Sequence, residues 1–190
     1  MAGGRVADDN RGVFPIHTAM PRTPKADDLY PAVAPSGHFN PHLADVEYGA
    51  LDGLVGYAVR RAQLHIYEDF VRSLHAWNIT PPRFSAMTVI AHNPNLKLTE
   101  LASILGVARS GAVLLVDTLE DMGMVERQPS PKDKRAFRLV LTAKGATTLD
   151  EITRAVTAHD ARVTAHLSKD ERHTLLALLN KLASGPDSAS

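Results

Sequence analysis

Between Arg127 and Lys144 the chain carries six basic side chains, Arg127, Lys132, Lys134, Arg135, Arg138 and Lys144, against one acid, Asp133. A cationic run this dense attracts phosphates, and it suits contact with a nucleic-acid backbone. Arg135 is the residue best matched to a minor groove, where a guanidinium is drawn to strong negative potential, with Asp133 holding it by an ion pair. An exposed hairpin tip tends to be charged in any case, so the run by itself leaves both readings open. Upstream lie Lys97, Thr99, Arg109, Ser110, Gly111 and Val113. On helices entering a groove, these positions would meet phosphates and base edges, with apolar contact reserved for thymine methyl groups. A third group, Tyr57, Arg60, Arg61, His65, Trp77, Phe84 and Met87, sets arginines near aromatic rings. That combination suits a carboxylate or phosphate attached to a ring. It is equally compatible with arginines that are solvated or paired with Glu68 or Asp69, and with a tryptophan in plain core.

The elements that must position these residues follow from local pattern. Leu98 to Leu105 reads as a short helix ending at Gly106, and Ala108 to Met122 as a second one stopping at Gly123. Gly106 supplies the left-handed backbone that a tight helix–helix connection needs. Ala112, Leu115, Val116 and Leu119 recur at helical spacing and predict a buried stripe, with Arg109, Ser110, Val113 and Asp117 opposite. A hairpin follows, Met124 to Arg127 and Phe137 to Thr142, with its tip at Ser130 to Arg135. Phe137, Leu139 and Leu141 alternate with Arg138, Val140 and Thr142, the period of a half-buried strand. This order predicts a mainly α chain with a small β-hairpin wing: a winged helix-turn-helix, a shape suited to the major groove of DNA.

Residues 79–142 form that lobe, and 45–78 with 143–184 a helical dimerisation region. A long helix from about Asp45 to Ala76 carries Leu51, Leu54, Val55, Ala58, Ala62, Ile66, Phe70 and Leu74 as a broad apolar stripe. Thr80 caps, and Pro81-Pro82 suit, the first turn of a helix running through Arg83 to His92. Thr142 caps a helix to about His166, and Ser168-Lys169-Asp170-Glu171 is a capping box opening a last helix. Leu175, Leu176, Leu178, Leu179 and Leu182 cover more of that helix than one monomeric face needs, which predicts a homodimer. Residues 1–44 hold six of the twelve prolines. Regular helix is excluded there. The arm is either extended and disordered, or packed over the partner subunit through Val13, Phe14, Tyr30 and Phe39. Residues 185–190 are a tail.

Composition narrows the function classes. The 190 residues have 21 basic and 21 acidic side chains, so DNA binding must come from charge placement. Cysteine is absent, which rules out a disulfide framework and a thiol switch. No apolar run has transmembrane length and the N-terminus lacks a signal-peptide core, so a cytoplasmic location is expected. Histidines 65, 75, 159, 166 and 173 show no close His-x-x-x-His pairing, and no metal ligand is assigned. No Gly-rich phosphate loop, nucleophile elbow or carboxylate cluster points to an enzyme. No cofactor is expected beyond a small-molecule effector.

The set Leu98-Thr99-Glu100-Leu101-Ala102, Gly106-Val107, Arg109-Ser110, Gly123-Met124-Val125-Glu126-Arg127, Asp133-Lys134-Arg135 and Leu141-Thr142-Ala143-Lys144-Gly145 resembles the MarR family of regulators. The similarity spans about Leu51 to Leu182, and the Asp-x-Arg wing followed by Leu-Thr-x-x-Gly is its most specific part. The resemblance implies a homodimeric repressor that binds a pseudo-palindromic operator in double-stranded DNA and responds to a small effector. Gly56 to Gln63 looks like a stretch in relatives sensing aromatic carboxylates or aromatic acyl-CoA thioesters. Three departures stand out: Lys97 and Ala108 occupy positions where capping residues are common, and Gly111, Val113 and Leu114 replace a more polar reading set. The first helix is therefore expected to take its cap from Asn95 or water. Two other functions stay in view, a winged-helix protein-interaction module and a metal-responsive regulator. A salt titration on duplex DNA separates the first from a regulator.

Overall fold

The computed structural model describes residues 43–130 and 137–185. Six helices and one hairpin follow in order: α1 Val55–Leu74, α2 Pro81–His92, α3 Leu98–Ile104, α4 Arg109–Asp121, β1 Val125–Pro129, β2 Phe137–Leu141, α5 Ala143–Val163 and α6 Lys169–Ala183. Short 3-10 turns, Gly49–Gly53 and His75–Trp77, flank α1. The first helix begins about ten residues later than the apolar stripe suggests. Asp45 and Gly49 sit at φ +65° and +56° and Leu54 is extended, so the backbone leaves helical geometry repeatedly before Val55.

The core joins the lobe to α1 and α5. Leu74, Ala86, Met87, Leu101, Val116, Leu119 and Ile152 are fully buried, joined by Leu115, Val125 and Leu139. The predicted α4 stripe is the one that packs, since Ala112, Leu115, Val116 and Leu119 all face inward. Gly106, at φ +64°, makes the turn between α3 and α4, whose axes meet at 107°. Strands β1 and β2 pair antiparallel with Val125 opposite Leu141 and Pro129 opposite Phe137. Leu139 also donates its backbone N–H to the carbonyl of Leu96 at 3.3 Å, which ties the hairpin to the loop before α3. Phe137 departs from the expected inward alternation. It lies 60% exposed because its pair with Pro129 closes the outer end of the described ladder, past the helices that cover Leu139.

The caps explain two motifs. Glu100 accepts from the Lys97 backbone N–H at 2.8 Å, so α3 takes its cap from its own third residue and not from Asn95. The Lys97 ammonium has no acceptor to offer in return. Thr142 accepts from the Gly145 N–H at 2.9 Å and donates to the Gly123 carbonyl at 2.7 Å, so one hydroxyl links the end of α4 to the start of α5. Gly145 must be glycine because a Cβ there would stand 1.9 Å from the Met124 carbonyl oxygen.

Helix α1 joins α5 through a polar node. Asp69 accepts from His159 Nδ1 at 2.7 Å, from Arg162 at 2.9 Å and from Arg72 at 2.7 Å, and Ser73 donates to it at 3.2 Å. His159 is 4% exposed and stands nearly perpendicular to the Phe70 ring, with centroids 5.4 Å apart. Burial alone would raise the Asp69 carboxyl, but its bonds to His159, Arg72, Arg162 and Ser73 outweigh that and hold it well below the usual carboxylate range.

Of the apolar stripe expected on α1, Phe70 and Leu74 are buried in this core, while much of the rest stays outside it. Leu51, Leu54, Val55, Val59 and Ile66 are exposed, as are all five of the α6 leucines, and no residue of α6 is buried. The two helices line a groove of about 870 Å³ from Val55, Ala58, Ala62, Ile66, Leu175, Leu178, Leu179 and Leu182, among others.

Two outcomes follow. Gly145→Ala is expected to destabilise the fold by about 3 kcal/mol, since the clash is with backbone and cannot be relieved by a rotamer; an unchanged urea midpoint would contradict the close approach. Asp69→Asn is expected to cost about 2 kcal/mol near neutral pH through lost charge-assisted hydrogen bonds. A depressed carboxyl contributes stability above the unfolded value, about 3.9, and loses it as pH falls toward the folded one. The gap between the two proteins should therefore narrow from about pH 4 downward. Denaturant melts at neutral and acid pH check this, and a constant gap would place the stabilisation elsewhere.

Candidate nucleic-acid interface

Helix α4 divides into a packed and a free side. Ala112, Leu115, Val116 and Leu119 face the core, while Arg109, Ser110 and Leu114 are exposed and Val113 and Asp117 half-buried on the other side. Gly111 lies on the packed side. It is buried 3.7 Å from the Val107 Cβ (measured from the Cβ it would carry), so the turn covers it and it is not available to a groove. Lys97 and Thr99 are exposed at the start of α3. Arg109 and Lys97 make no side-chain ion pair among the described residues. The first turn of α4 has no side-chain cap at Ala108, which leaves its N–H groups directed outward with a partial positive charge.

The basic run is not all free charge. Arg127 donates to Asp117 at 2.7 Å and to Glu120, and Glu120 also accepts from the Arg127 backbone N–H at 2.9 Å. Arg138 donates to Gln128 at 2.9 Å, and Lys144 donates to the Met122 carbonyl at 2.8 Å. Arg127 and Arg138 are thus engaged within the hairpin and its α4 neighbour, and Lys144 of α5 at the α4 C-terminus. For Arg127 the arrangement answers a problem that the spacing did not reveal: two carboxylates of α4 lie beside the first strand, and one guanidinium serves both. Lys132, Asp133, Lys134 and Arg135 lie outside the described residues.

The effector candidates do not converge within one chain. Tyr57 and Arg61 form one pair on α1, with the guanidinium carbon 5.7 Å from the ring centroid and Tyr48 stacked obliquely behind it. The Arg61 Nε is buried without a hydrogen-bond partner. Arg60 is exposed and donates to Gln63 at 3.1 Å, and His65 is exposed. Neither arginine makes the ion pair to Asp69 considered from sequence; that carboxylate is taken by Arg72, Arg162 and His159. At the far end Trp77 donates its indole N–H to Glu151 of α5 at 3.2 Å, and Phe84 packs on the core. Met87 is fully buried in that core and serves packing. Seventeen residues of helix separate Tyr57 from Leu74, roughly 25 Å, so one compact pocket in this chain cannot hold both groups. Among the described residues no group of three or more histidines or carboxylates is placed to hold a metal, and His159 bonds Asp69.

A perpendicular helix pair, a β hairpin and an outward, uncapped reading helix define a winged helix-turn-helix regulator. The sequence profile of the MarR family matches residues 79–137. A protein of Thauera aromatica, named for transcriptional regulation of the hcr operon, is 36% identical over 144 residues, covering 75% of this chain and 87% of that one. The transcriptional repressor CouR bound to a 23-mer DNA duplex superposes with a TM-score of 0.70 at 38% identity, over 74% of this chain and 99% of that one. CouR bound to p-coumaroyl-CoA gives 0.69 at 36% identity, over 75% and 100%. The chain belongs to the MarR family and is a transcriptional regulator, not an enzyme.

If Arg127 positions the hairpin, Arg127→Gln should lower the melting temperature by about 3 °C, the size expected for roughly 1 kcal/mol in a chain of this length. It should also leave the slope of log affinity against log salt unchanged, because a cation already neutralised by carboxylates displaces no counterion from DNA. A slope reduced by about 0.9 at constant melting temperature would return Arg127 to a phosphate.

Proposed function

We propose that this protein is a homodimeric repressor released from its operator by an aromatic acyl-CoA. The observation that carries the reading is the outer side of α4, where Arg109, Ser110 and Leu114 are exposed while Ala112, Leu115, Val116 and Leu119 on the opposite side are buried. Inserted in a major groove, it offers Arg109 and Ser110 to base edges and the α4 N-terminus to a phosphate. Lys97 and Thr99 adjoin the backbone, and by residue type Lys132, Lys134 and Arg135, with Asp133 among them, are assigned to the flanking phosphates and minor groove. Dimerisation buries the α1–α6 groove against its copy, and half-sites then lie about 10 base pairs apart. The reading places the protein in the cytoplasm, with the DNA.

The separation of the two effector groups supports a long ligand over a compact one. Trp77 and Phe84 suit a ring at one end of α1, and Arg60 and Arg61 suit phosphates at the other, with Tyr57 flanking the guanidinium. CouR, which has been solved with p-coumaroyl-CoA, is matched over the whole of its own length by 75% of this chain. Ligand binding acts by favouring a spacing of the two α4 helices that the operator does not accept.

Fluorescence anisotropy on a duplex carrying the protein's own promoter region tests both halves. Binding at low salt that is reversed by p-coumaroyl-CoA, but not by free p-coumarate or CoA, is expected. Replacing Arg60 and Arg61 together by Ala should weaken the acyl-CoA response about tenfold and leave the response to a short thioester lacking the nucleotide unchanged. Loss of DNA affinity with no loss of response would place the phosphates elsewhere, and indifference to every aromatic acyl-CoA would remove the effector assignment.

A further inference from the structure

The free side of α4 is charged at its N-terminal end and apolar in its middle. Leu114 is 51% exposed, one turn beyond Ser110 and next to the half-buried Val113. Its polar neighbours on that side are already occupied. Asp117 accepts from Arg127 at 2.7 Å, and the Thr118 hydroxyl donates back to the Leu114 carbonyl at 2.8 Å. A lone exposed leucine needs no explanation on an ordinary surface. This one occupies the centre of the helix surface that the operator-binding reading puts against base edges. In a major groove the apolar feature available to meet it is the C5-methyl group of thymine, since the other base-edge groups there are hydrogen-bond donors and acceptors. A branched side chain without a donor or acceptor discriminates by burying that methyl, and it penalises cytosine and guanine by leaving their polar edges unpaired.

We propose that Leu114, supported by Val113, is a specificity-determining residue that reads thymine methyl groups at the middle of each half-site. The proposal rests on the operator-binding reading above. It assigns the central positions to shape and methyl contact, and leaves hydrogen-bonded readout to Arg109 and Ser110. It also gives the Arg127 pair a second consequence: with Asp117 neutralised, the apolar centre is not bordered by an open carboxylate that would repel the groove.

The test uses the full-length protein and its promoter duplex, with each thymine replaced in turn by deoxyuridine, which removes the methyl and keeps every hydrogen-bonding group. One or two positions per half-site should lose about fourfold in affinity, the size of one buried methylene, and the remaining thymines should be silent. Leu114→Ala, an exposed substitution that favours helix and preserves the fold, should bind the unmodified duplex more weakly and become indifferent to deoxyuridine at those positions. Equal affinity for a fully deoxyuridine-substituted duplex overturns the proposal, as does a Leu114→Ala protein that stays fully sensitive. Failure to bind any promoter duplex overturns the operator reading and this proposal together, and is distinguished from the others because the unmodified duplex is measured first.

Discussion

The close approach of Gly145 to the Met124 carbonyl governs how the parts of this molecule are arranged. At that corner the end of α4, the residue leading into the first strand and the start of α5 meet with no room for a methyl group, and Thr142 bonds to all three. The direction of the reading helix is thereby coupled to α5, which is coupled in turn to α1 through Asp69, His159 and Arg162. A chain of contacts this short, made of backbone and charge-assisted bonds, transmits displacement without much slack. An effector lodged along α1, as proposed above, would have a mechanical route to α4 that runs through one helix.

Within this frame, electrostatics acts mostly inward. Arg127, Arg138 and Lys144 neutralise or tether groups of the lobe, and Asp69 gathers three cationic or imidazole partners between helices. A formally neutral chain that spends these cations on its own groups has no net positive charge to attract a polyanion at long range. Selectivity in such a protein leans on shape and on contacts in the groove more than on bulk attraction.

The span from Leu98 to Gly145 was largely legible from sequence because its signals are local. Helical spacing of Leu115, Val116 and Leu119, the turn at Gly106 and the cap at Thr142 each depend on neighbours a few residues away. What escaped depends on distance. The α1 stripe predicted an amphipathic helix but could not show that Asp45 and Leu54 break its start. Phe137 keeps the strand period yet extends past the covering helices, and Gly111 falls on the packed side because its position on the wheel, not its residue type, decides burial. The effector residues were grouped by chemistry, and the length of α1 separates them. Arg127 read as one more cation because its carboxylates lie seven and ten positions earlier, on another element.

The leucine-rich final helix carries a consequence for the cell. A subunit whose α6 buries none of its own side chains has little reason to hold that segment in place until a second copy arrives. Maturation and pairing then become a single bimolecular event, so the concentration of active dimer rises with the square of free subunit concentration and falls steeply on dilution. A gene controlled by such a protein would switch at a threshold of supply even before any small molecule is considered.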